Sequence, residues 1–339
     1  MTPDAPYRGL AGSRDRPGGI ALPPAPLPLV HAGRVRKRWR YVGVYGPELS
    51  VCVGLVRLGP IHQSFWAVWD REGRRLHERT RRRDAGVRLP DGAVHVRDGA
   101  VEIDLRLDLD AIPAVETVTP YGRAYAWTSK RAAVPVRGTV RAGGRTWSVD
   151  ALGVVDDSGG YPPRHTAWCW SAGVGTDEAG RTVGWNLVRG IHDDPAASER
   201  TVWIDGQPQH VAPVRFAEDL SAVTDAAGGA AAGDAGAVGA GDARAGDAAG
   251  ARPVAGAGAA VGAGAAANGP GGRGPAVAAG PARGVDLRFA AEATRARRDE
   301  ALVVRSAYEQ PFGTFTGTLP GGVRLAEAHG VMERHTATW

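Results

Sequence analysis

Lysine and asparagine are scarce in this sequence, although its charge is basic overall. Lysine occurs only at Lys37 and Lys130, so nearly all of the positive charge comes from arginine. Alanine, glycine and proline are abundant as well, which is typical of a GC-biased coding sequence. The formal net charge of +5 therefore does not by itself indicate a nucleic-acid partner.

Patterns of cysteine and of metal ligands are also lacking. Cys52 and Cys169 each lie inside an apolar run, and neither belongs to a CxxC spacing. This excludes a disulfide framework and a cysteine zinc site. The histidines lack ligand spacings, and no GxSxG, GxGxxG or P-loop motif stands between a strand and a helix. We therefore expect no metal and no cofactor, and hydrolase, dehydrogenase and NTPase functions have no support.

No long hydrophobic run is present. The N-terminal residues lack an apolar segment behind a basic start, and the stretch ALPPAPLPLV is interrupted by prolines. A signal peptide and a membrane helix are thus not predicted, and a cytoplasmic location is expected. The densest basic runs, Arg34 to Arg40 and Arg79 to Arg83, carry no nucleic-acid-binding motif. We interpret them as solvated surface, with weak contact to an anionic membrane surface as the alternative.

What the sequence does contain is a succession of short apolar runs, separated by turn residues about every eight to twelve positions. The clearest run is VEIDLRLDL, Val101 to Leu109, in which apolar and charged residues alternate. Gly143 and Gly144 are typical of the tight turns between such runs. The sequence therefore predicts an all-β antiparallel meander, and the number of strands favours two linked barrels over one.

The composition changes between residues 222 and 283, where alanine and glycine dominate. Such residues bury too little side-chain area to offset the entropy of ordering, so we predict a flexible insertion over 222–283. Strand-like sequence resumes after it, and the best helix candidate is Glu292 to Val303. The other predicted parts are a disordered N-terminal tail over 1–24, a first barrel-like half over 25–150, and a second barrel-like half made of 151–221 and 284–339.

Six stretches resemble a known bacterial family. They are WRYVGVYGPELSVCVGLVRLG, QSFWAVWDREG, GYPPRHTAWCWSAGVG, GRTVGWNL, SERTVWIDG and YEQPFGTFTGTL. Together they closely resemble the domain of unknown function 2804 family (DUF2804) over about residues 25–220 and 284–339. Two features depart from that family: Arg200 stands where its members carry an amide, and the Ala/Gly insertion is long. The family is distantly similar to tandem lipocalin-like proteins of the carotenoid hydratase type, which implies two lipocalin-like (calycin-type) barrels.

The segment GGYPPRHTAWCWSAGVG contains candidate ligand-binding residues. In a strand, Trp168 and Trp170 share one face, whereas His165 lies on the other. Indoles in a barrel interior pack as core, line an apolar cavity or stabilise a cation, and all three roles are open here. His165 is a candidate proton carrier, with a surface position as the alternative. Arg164, beside it, is a candidate ligand contact.

Three carboxylates are candidates for general acid or base catalysis. Asp156 and Asp157 precede GGYPP in a predicted loop, where an Asx turn is the alternative role. Glu199 and Asn186 fall in adjacent motif strands, and a hairpin would bring them together. Asn186 is either a ligand contact or a buried amide bonded to the backbone. Trp203 is a further candidate for the ligand-binding wall.

These residues and the resemblance lead to one functional prediction. The protein is expected to bind a hydrophobic small molecule, a lipid or a terpenoid, in a Trp-lined β-barrel cavity. One alternative is a cofactor-free hydratase, dehydratase or isomerase that acts on such a ligand. The other is a non-catalytic scaffold protein whose tryptophans form a packed core. A specific nucleic-acid partner is not expected.

Overall fold

The computed structural model describes residues 5–226, 284–301 and 304–338. In this part of the chain, the structure is almost entirely antiparallel β-strand, arranged as a sheet of eleven strands, a sheet of nine strands and a separate two-stranded hairpin. The predicted all-β antiparallel fold is therefore confirmed, with two large curled sheets. Short 3₁₀ helices occur at Leu109–Ala111 and Pro320–Gly322.

The first sheet and the hairpin are formed by the N-terminal part of the chain. Their strands are β1 (Tyr7–Leu10), β2 (Val30–His31), β3 (Arg34–Val35), β4 (Lys37–Tyr45), β5 (Leu49–Leu58), β6 (Ile61–Asp70), β7 (Arg75–Arg82), β8 (Val87–Arg88), β9 (Ala93–Asp98), β10 (Val101–Leu107), β11 (Val115–Tyr121), β12 (Ala124–Ala142) and β13 (Arg145–Gly160). The order in the sheet is β7-β6-β5-β4-β13-β12-β10-β9-β8, and β11 pairs with both β12 and β1. The hairpin consists of β2 and β3.

The second sheet is formed by the remaining described strands. They are β14 (His165–Asp177), β15 (Thr182–Arg189), β16 (Thr201–Ile204), β17 (Gln207–His210), β18 (Val214–Phe216), β19 (Ala222–Asp225), β20 (Asp286–Ala301), β21 (Val304–Leu319) and β22 (Val323–Thr338). Their order is β17-β16-β15-β14-β22-β21-β20-β19-β18. The long strands β14, β20, β21 and β22 form the middle of this sheet. Its main contacts with the first sheet are made by β14 and β15 against β12 and β13.

The strand with the clearest alternation in the sequence is confirmed. In β10 the odd-numbered residues from Val101 to Leu107 are buried and the residues between them are exposed. Leu109, the last apolar position of the pattern, lies in the following 3₁₀ helix. Gly143 and Gly144 join β12 to β13 with φ of 59° and 83°, which glycine adopts without a steric penalty.

Three sequence expectations differ from the structure. The helix candidate Glu292 to Val303 is wrong, because residues 292–301 belong to β20 and pair with β21; residues 302 and 303 lie outside the described residues. The tail over 1–24 includes β1, which pairs with β11. The change from the first to the second sheet falls between residues 160 and 165, whereas the sequence placed the division at 150 and 151.

The predicted insertion over 222–283 is only partly described. Its first residues form β19, which pairs with β20. Residues 227–283 lie outside the described residues, so the expectation for them is left as a prediction. No helix in the described ranges is long and apolar enough to cross a membrane.

Each sheet has two different faces, because successive side chains of a strand point to opposite sides. In the first sheet, Val42, Val53 and Trp66 lie in one register row and are buried in the hydrophobic core. The neighbouring row contains Tyr41 and Phe65, on the face that meets the second sheet. The space between the two sheets therefore receives side chains from both.

The two sheets come into close contact at Gly184 of β15. A Cβ atom there would lie 2.7 Å from the backbone nitrogen of Ala133 and 2.9 Å from the carbonyl carbon of Ala132. Ala133 has φ of 64° and marks a register shift between β12 and β13, which is typical of a β-bulge. The glycine therefore allows direct backbone contact between β15 and the bulge in β12.

Candidate functional site

A cavity of about 360 Å³ lies between the two sheets. Trp168 and Trp170 project into it from β14, whereas Cys169, the residue between them, packs against the core of the second sheet. The predicted position inside a barrel is thus corrected: the tryptophans line a space between the sheets, on the opposite face of β14 from that core. Six aromatic side chains form its apolar walls: Trp39, Tyr41, Phe65, Trp168, Trp170 and Tyr308.

Lys130, Asp156 and Glu199 meet at one side of the cavity, and we call them the polar trio. Lys130 Nζ lies 2.6 Å from Asp156 Oδ2 and 3.4 Å from Glu199 Oε1. Lys130 and Asp156 are directly opposite each other in β12 and β13, which explains their contact. Glu199 Oε2 is buried and has no hydrogen-bond partner within the described part of the chain. This oxygen can therefore accept a hydrogen bond from a bound molecule.

The charges of the polar trio depend on burial. Burial and the neighbouring carboxylate of Asp156 raise the pKa of Glu199, although Lys130 acts in the opposite direction. Burial lowers the pKa of Lys130, but the carboxylates of Asp156 and Glu199 outweigh it, so that the pKa is raised overall. The lysine therefore stays charged, while Glu199 is protonated more readily than an exposed glutamate. A buried carboxyl group with a raised pKa has the properties of a general acid.

His192 also lines the cavity, in the loop between β15 and β16. Its φ of 50° is in the left-handed region, which is uncommon for a residue other than glycine. Its Nδ1 lies 2.9 Å from Thr119 Oγ1, and its carbonyl oxygen accepts a hydrogen bond from the Glu199 backbone N–H at 3.0 Å. Burial and the charge of Lys130 lower the pKa of His192 to about 3, so the imidazole is neutral near pH 7.

The two tryptophans of the wall are held by hydrogen bonds. Trp170 Nε1 donates to Asn186 Oδ1 at 2.8 Å, and Trp168 Nε1 donates to Glu333 Oε1 at 2.9 Å. The ring of Tyr41, from the first sheet, meets the ring of Trp170 edge to face at 5.4 Å between centroids. Because both indole N–H groups are occupied, what the wall offers a ligand is chiefly ring surface.

A second polar cluster surrounds Arg295 on the side of the cavity near β6 and β7. Its Nε lies 2.9 Å from Glu78 Oε2, and its Nη2 donates to Tyr308 Oη at 3.0 Å. The guanidinium carbon lies 4.5 Å from the centroid of the Phe65 ring. Arg295 is buried, and protein groups occupy most of its donors. It therefore fixes the wall between the sheets and offers little free charge to a ligand.

The structure brings several predicted site residues together. Asp156, Glu199, Trp168 and Trp170 all line the cavity. Asn186 lies behind this wall, where its amide donates to the Glu199 carbonyl oxygen at 3.1 Å and to Oε1 at 3.4 Å. The expected proximity of Asn186 and Glu199 is therefore present, and it connects the tryptophan wall to the polar trio.

Four other predicted residues are not at the cavity. Asp156 and Asp157 lie in β13 and not in a loop, so they point to opposite faces; Asp157 lies 3.4 Å from Arg38 Nη2 instead. His165 is exposed, with Nδ1 3.0 Å from Thr338 Oγ1, and Arg164 is exposed too. Trp203 is fully buried and donates to the Pro113 carbonyl oxygen at 3.1 Å. The structure places Trp203 in the packed core.

Sequence reasoning missed three residues of the site. Lys130 carried a signal, since it is one of only two lysines in the sequence. His192 stands in the loop between β15 and β16, and no motif in the sequence connects it with the cavity that it lines. Arg295 fell inside the wrong helix candidate. In the described ranges, no cluster of three His, Cys, Asp or Glu side chains is arranged to hold a metal ion.

Arg200, which stands where the family carries an amide, has a structural role. It is buried beside Glu199, and its Nε donates to the Val211 carbonyl oxygen at 3.2 Å. Its Nη1 donates to the Asp193 carbonyl oxygen at 3.1 Å. The arginine thus ties the loop that contains His192 to the segment after β17.

Fold and site together define an all-β protein with two curled antiparallel sheets and an aromatic cavity with buried acid groups between them. The family model described as Domain of unknown function (DUF2804) matches residues 87–225, which confirms the resemblance for the three motifs inside that range, GYPPRHTAWCWSAGVG, GRTVGWNL and SERTVWIDG. The matched residues include the whole polar trio and both tryptophans of β14. No curated protein is significantly similar to the chain.

Several solved structures match this chain with little sequence in common. One is an AttH-type protein (NE1406) from Nitrosomonas europaea, with 11% identity, a TM-score of 0.38, and coverage of 93% of this chain and 98% of that one. Another is kievitone hydratase from Nectria haematococca, with 7% identity, a TM-score of 0.41 and coverage of 88% of both chains. CghA in complex with Sch210972 has 11% identity, a TM-score of 0.35, and coverage of 89% of this chain and 88% of that one. Values this low do not transfer an activity or a ligand to this protein.

Proposed function

We propose that the protein binds one hydrophobic small molecule that carries a hydroxyl or carbonyl oxygen, in the cavity between its two sheets. The cavity carries this proposal: its volume of about 360 Å³ lies in the range of small-molecule sites, and its surface is mainly apolar and includes six aromatic side chains. The oxygen is expected at the polar trio, because Glu199 Oε2 is buried there without a partner. The apolar part of the ligand then contacts Trp168, Trp170 and Tyr41.

Native mass spectrometry of the freshly purified full chain, followed by solvent extraction, tests this proposal. A lipid or terpenoid that leaves with the protein at about one molecule per chain supports it and identifies the ligand class. A ligand-free protein that also fails to bind a panel of apolar fluorescent probes overturns it. That result would favour the alternative of a non-catalytic scaffold protein, in which the tryptophans contribute only to the packed core.

A matched pair of variants locates the ligand. Val56 lines the cavity, whereas its neighbour Leu55 lies on the opposite face of β5 and packs against the core. Val56→Phe fills part of the cavity, so probe affinity should fall about tenfold or more; Leu55→Phe should leave it unchanged. Equal affinities for the two variants place the ligand elsewhere.

A second candidate function is cofactor-free proton chemistry on the same ligand, as in a hydration, dehydration or isomerisation. It is favoured by the buried Glu199 carboxyl, whose pKa is raised. In a hydration, Glu199 gives its proton to one carbon of a C=C bond, and a water oxygen bonds to the other carbon. That water then returns a proton to the Glu199 carboxylate, so the net change is addition of one water. The rings of Trp168 and Trp170 are suited to stabilise the positive charge that develops between these steps.

Glu199→Gln separates this function from binding alone. The amide has nearly the same shape but no acidic proton, so binding should persist while turnover of the extracted ligand is lost. Asp157→Asn is the control, because Asp157 neighbours Asp156 in sequence but faces away from the cavity. Loss of turnover in the Asp157 variant together with full turnover in the Glu199 variant rejects this mechanism.

A further inference from the structure

Exposed apolar side chains are concentrated in one place on this protein. Among the described residues, five large hydrophobic side chains are about half exposed, and four of them are Leu29, Val30, Val35 and Ile61, at 48 to 55%. We call these four the apolar patch. The fifth, Leu10, lies on β1 in a different part of the first sheet. Single exposed apolar residues are ordinary, whereas a group of them marks an interaction surface.

The members of the apolar patch are joined by direct structural contacts. Val30 and Val35 are register partners in the β2–β3 hairpin. Val35 packs over the turn between β5 and β6, since a Cβ atom on Gly59 would lie 2.7 Å from Val35 Cγ1. Ile61 begins β6 directly after this turn. The hairpin and the turn thus form one continuous projection.

The apolar patch also borders the cavity. Ile61 belongs to the patch and lines the cavity, together with Leu58 at the other end of the same turn. The lining continues from this turn past His62 and Gln63 toward the aromatic walls. A molecule that enters beside the turn therefore passes from the apolar patch directly into the cavity.

Arginines surround the apolar patch, and we call Arg34, Arg36, Arg38, Arg57 and Arg83 the basic rim. Arg38 and Arg57 are directly opposite each other in β4 and β5, an arrangement of like charges that destabilises a sheet. Arg83 follows β7, and its backbone N–H donates to the His62 carbonyl oxygen at 2.8 Å. The two basic runs of the sequence therefore meet around one turn.

The positive charge of the basic rim exceeds the negative charge of the carboxylates that pair with it. Within the described residues, Arg38 pairs with Asp157, and Arg57 pairs with Asp84. Arg34 and Arg36 instead donate to the carbonyl oxygens of Tyr161 and Leu27. A partner with apolar and anionic groups side by side satisfies both parts of this surface, and an anionic lipid bilayer has both.

We infer that the apolar patch and the basic rim dock this protein on an anionic membrane surface, with the cavity mouth toward the lipid. The hydrophobic ligand then enters and leaves without crossing water. This inference rests on the proposed function, because it assigns the source of the ligand. A nucleic acid would neutralise the arginines but would not bury the apolar patch. A second copy of the chain would bring two basic rims together, and their like charges would repel each other.

Co-sedimentation of the full chain with vesicles tests the inference. The protein should bind vesicles of phosphatidylcholine and phosphatidylglycerol, bind pure phosphatidylcholine much more weakly, and lose binding as salt increases. Val30→Ser together with Val35→Ser should weaken binding about tenfold, because both side chains would otherwise enter the headgroup region. Arg57→Gln should weaken binding about fivefold, as expected for one arginine near an anionic surface.

Matched controls come from the same chain. Leu10→Ser removes an equally exposed apolar side chain outside the patch, and Arg137→Gln removes an arginine of another surface ion pair, with Asp150. Both should bind vesicles like the unmodified protein. Equal losses in the control and patch variants, or no preference for phosphatidylglycerol, overturn the inference. A dimer that the double valine variant converts to monomers, with no vesicle binding, identifies a second copy as the occupant and also overturns it.

Failure of this inference is distinguishable from failure of the proposed function. Val30, Val35 and Arg57 do not line the cavity. Their variants should therefore bind an apolar fluorescent probe normally in buffer without vesicles. Normal probe binding without any vesicle binding rejects membrane docking and keeps the cavity function.

Discussion

Lys130 and Asp156 form a buried ion pair, with 2.6 Å between Nζ and Oδ2, across the β12–β13 register. Glu199 reaches the same ammonium group from outside the first sheet, at 3.4 Å. One cation therefore serves two carboxyl groups, which come from distant parts of the chain. The stability of this arrangement depends on the lysine more than on either acid.

Lys130→Met should strongly destabilise the protein. The variant leaves two carboxyl groups buried without their cation, and breaking a buried ion pair in this way costs about 3–5 kcal/mol. Urea unfolding followed by tryptophan fluorescence measures this loss. The double variant Lys130→Met/Asp156→Asn should be more stable than the single variant, because it removes the charge of one of the two unpaired carboxyl groups. A loss no greater than that of Arg137→Met, which breaks an exposed pair, contradicts the role of the lysine.

Trp168 and Trp203 should differ in what they contribute to stability. Trp203 is fully buried in the core, so Trp203→Ala should lower the free energy of unfolding by about 3–5 kcal/mol. Trp168 borders the cavity and is partly exposed, so Trp168→Ala should lower it less and should reduce probe affinity more. Denaturant unfolding and probe titration of both variants check this. The reverse order of stability losses would show that Trp168 is core.

Gly184→Ala should weaken the contact between the sheets. The added methyl group meets the backbone of Ala132 and Ala133 below 3.0 Å, so the strands must separate. Overpacking of this kind costs about 1–3 kcal/mol. Gly46→Ala is the control, because the nearest atoms to its Cβ lie at 3.8 and 3.9 Å. Thermal unfolding of both variants measures the difference, and equal melting temperatures would contradict the close approach.

His192 should make the protein less stable in mild acid. Its pKa in the folded protein is about 3, well below the ordinary histidine value of about 6.5. Between these values the unfolded chain binds the extra proton, so stability falls as the pH decreases from 6.5 toward 3. This amounts to about 2 kcal/mol between pH 7 and pH 5.

His192→Asn isolates that contribution. Asparagine tolerates the left-handed backbone at this position and does not titrate. Urea unfolding at pH 7 and pH 5 should show a smaller stability difference for the variant than for the unmodified protein. Glu199 titrates in both proteins, so its effect cancels in the comparison. Identical pH dependence would show that folding does not lower the pKa of His192.

Local sequence patterns were sufficient to predict strands that have one buried face and one exposed face. The alternation in β10 and the glycine pair after β12 needed no tertiary information. Residues 292–301 gave the wrong result because alanine, glutamate and arginine favour helix locally. Pairing with β21 along nearly the whole strand outweighs that preference, which a short sequence window does not contain.

The site was predictable only in part, for a similar reason. Strand periodicity alone predicts that Trp168 and Trp170 share one face of β14. The same periodicity separates Asp156 from Asp157, but the sequence pattern there indicates a loop and not a strand. The contact between Lys130 and Glu199 joins the first sheet to a loop beside the second. Only the packing of the sheets produces it, and no spacing in the sequence encodes it.

Because the cavity lies between two sheets, the residues that line it come from separate stretches of the chain. The polar trio and the β14 tryptophans lie within residues 87–225, whereas Tyr41, Phe65, Arg295 and Tyr308 lie outside that range. We expect relatives that share the middle segment to keep the polar trio while their outer strands change the shape of the cavity around it. Within such a lineage, the choice of ligand can diverge through changes in the flanking strands alone.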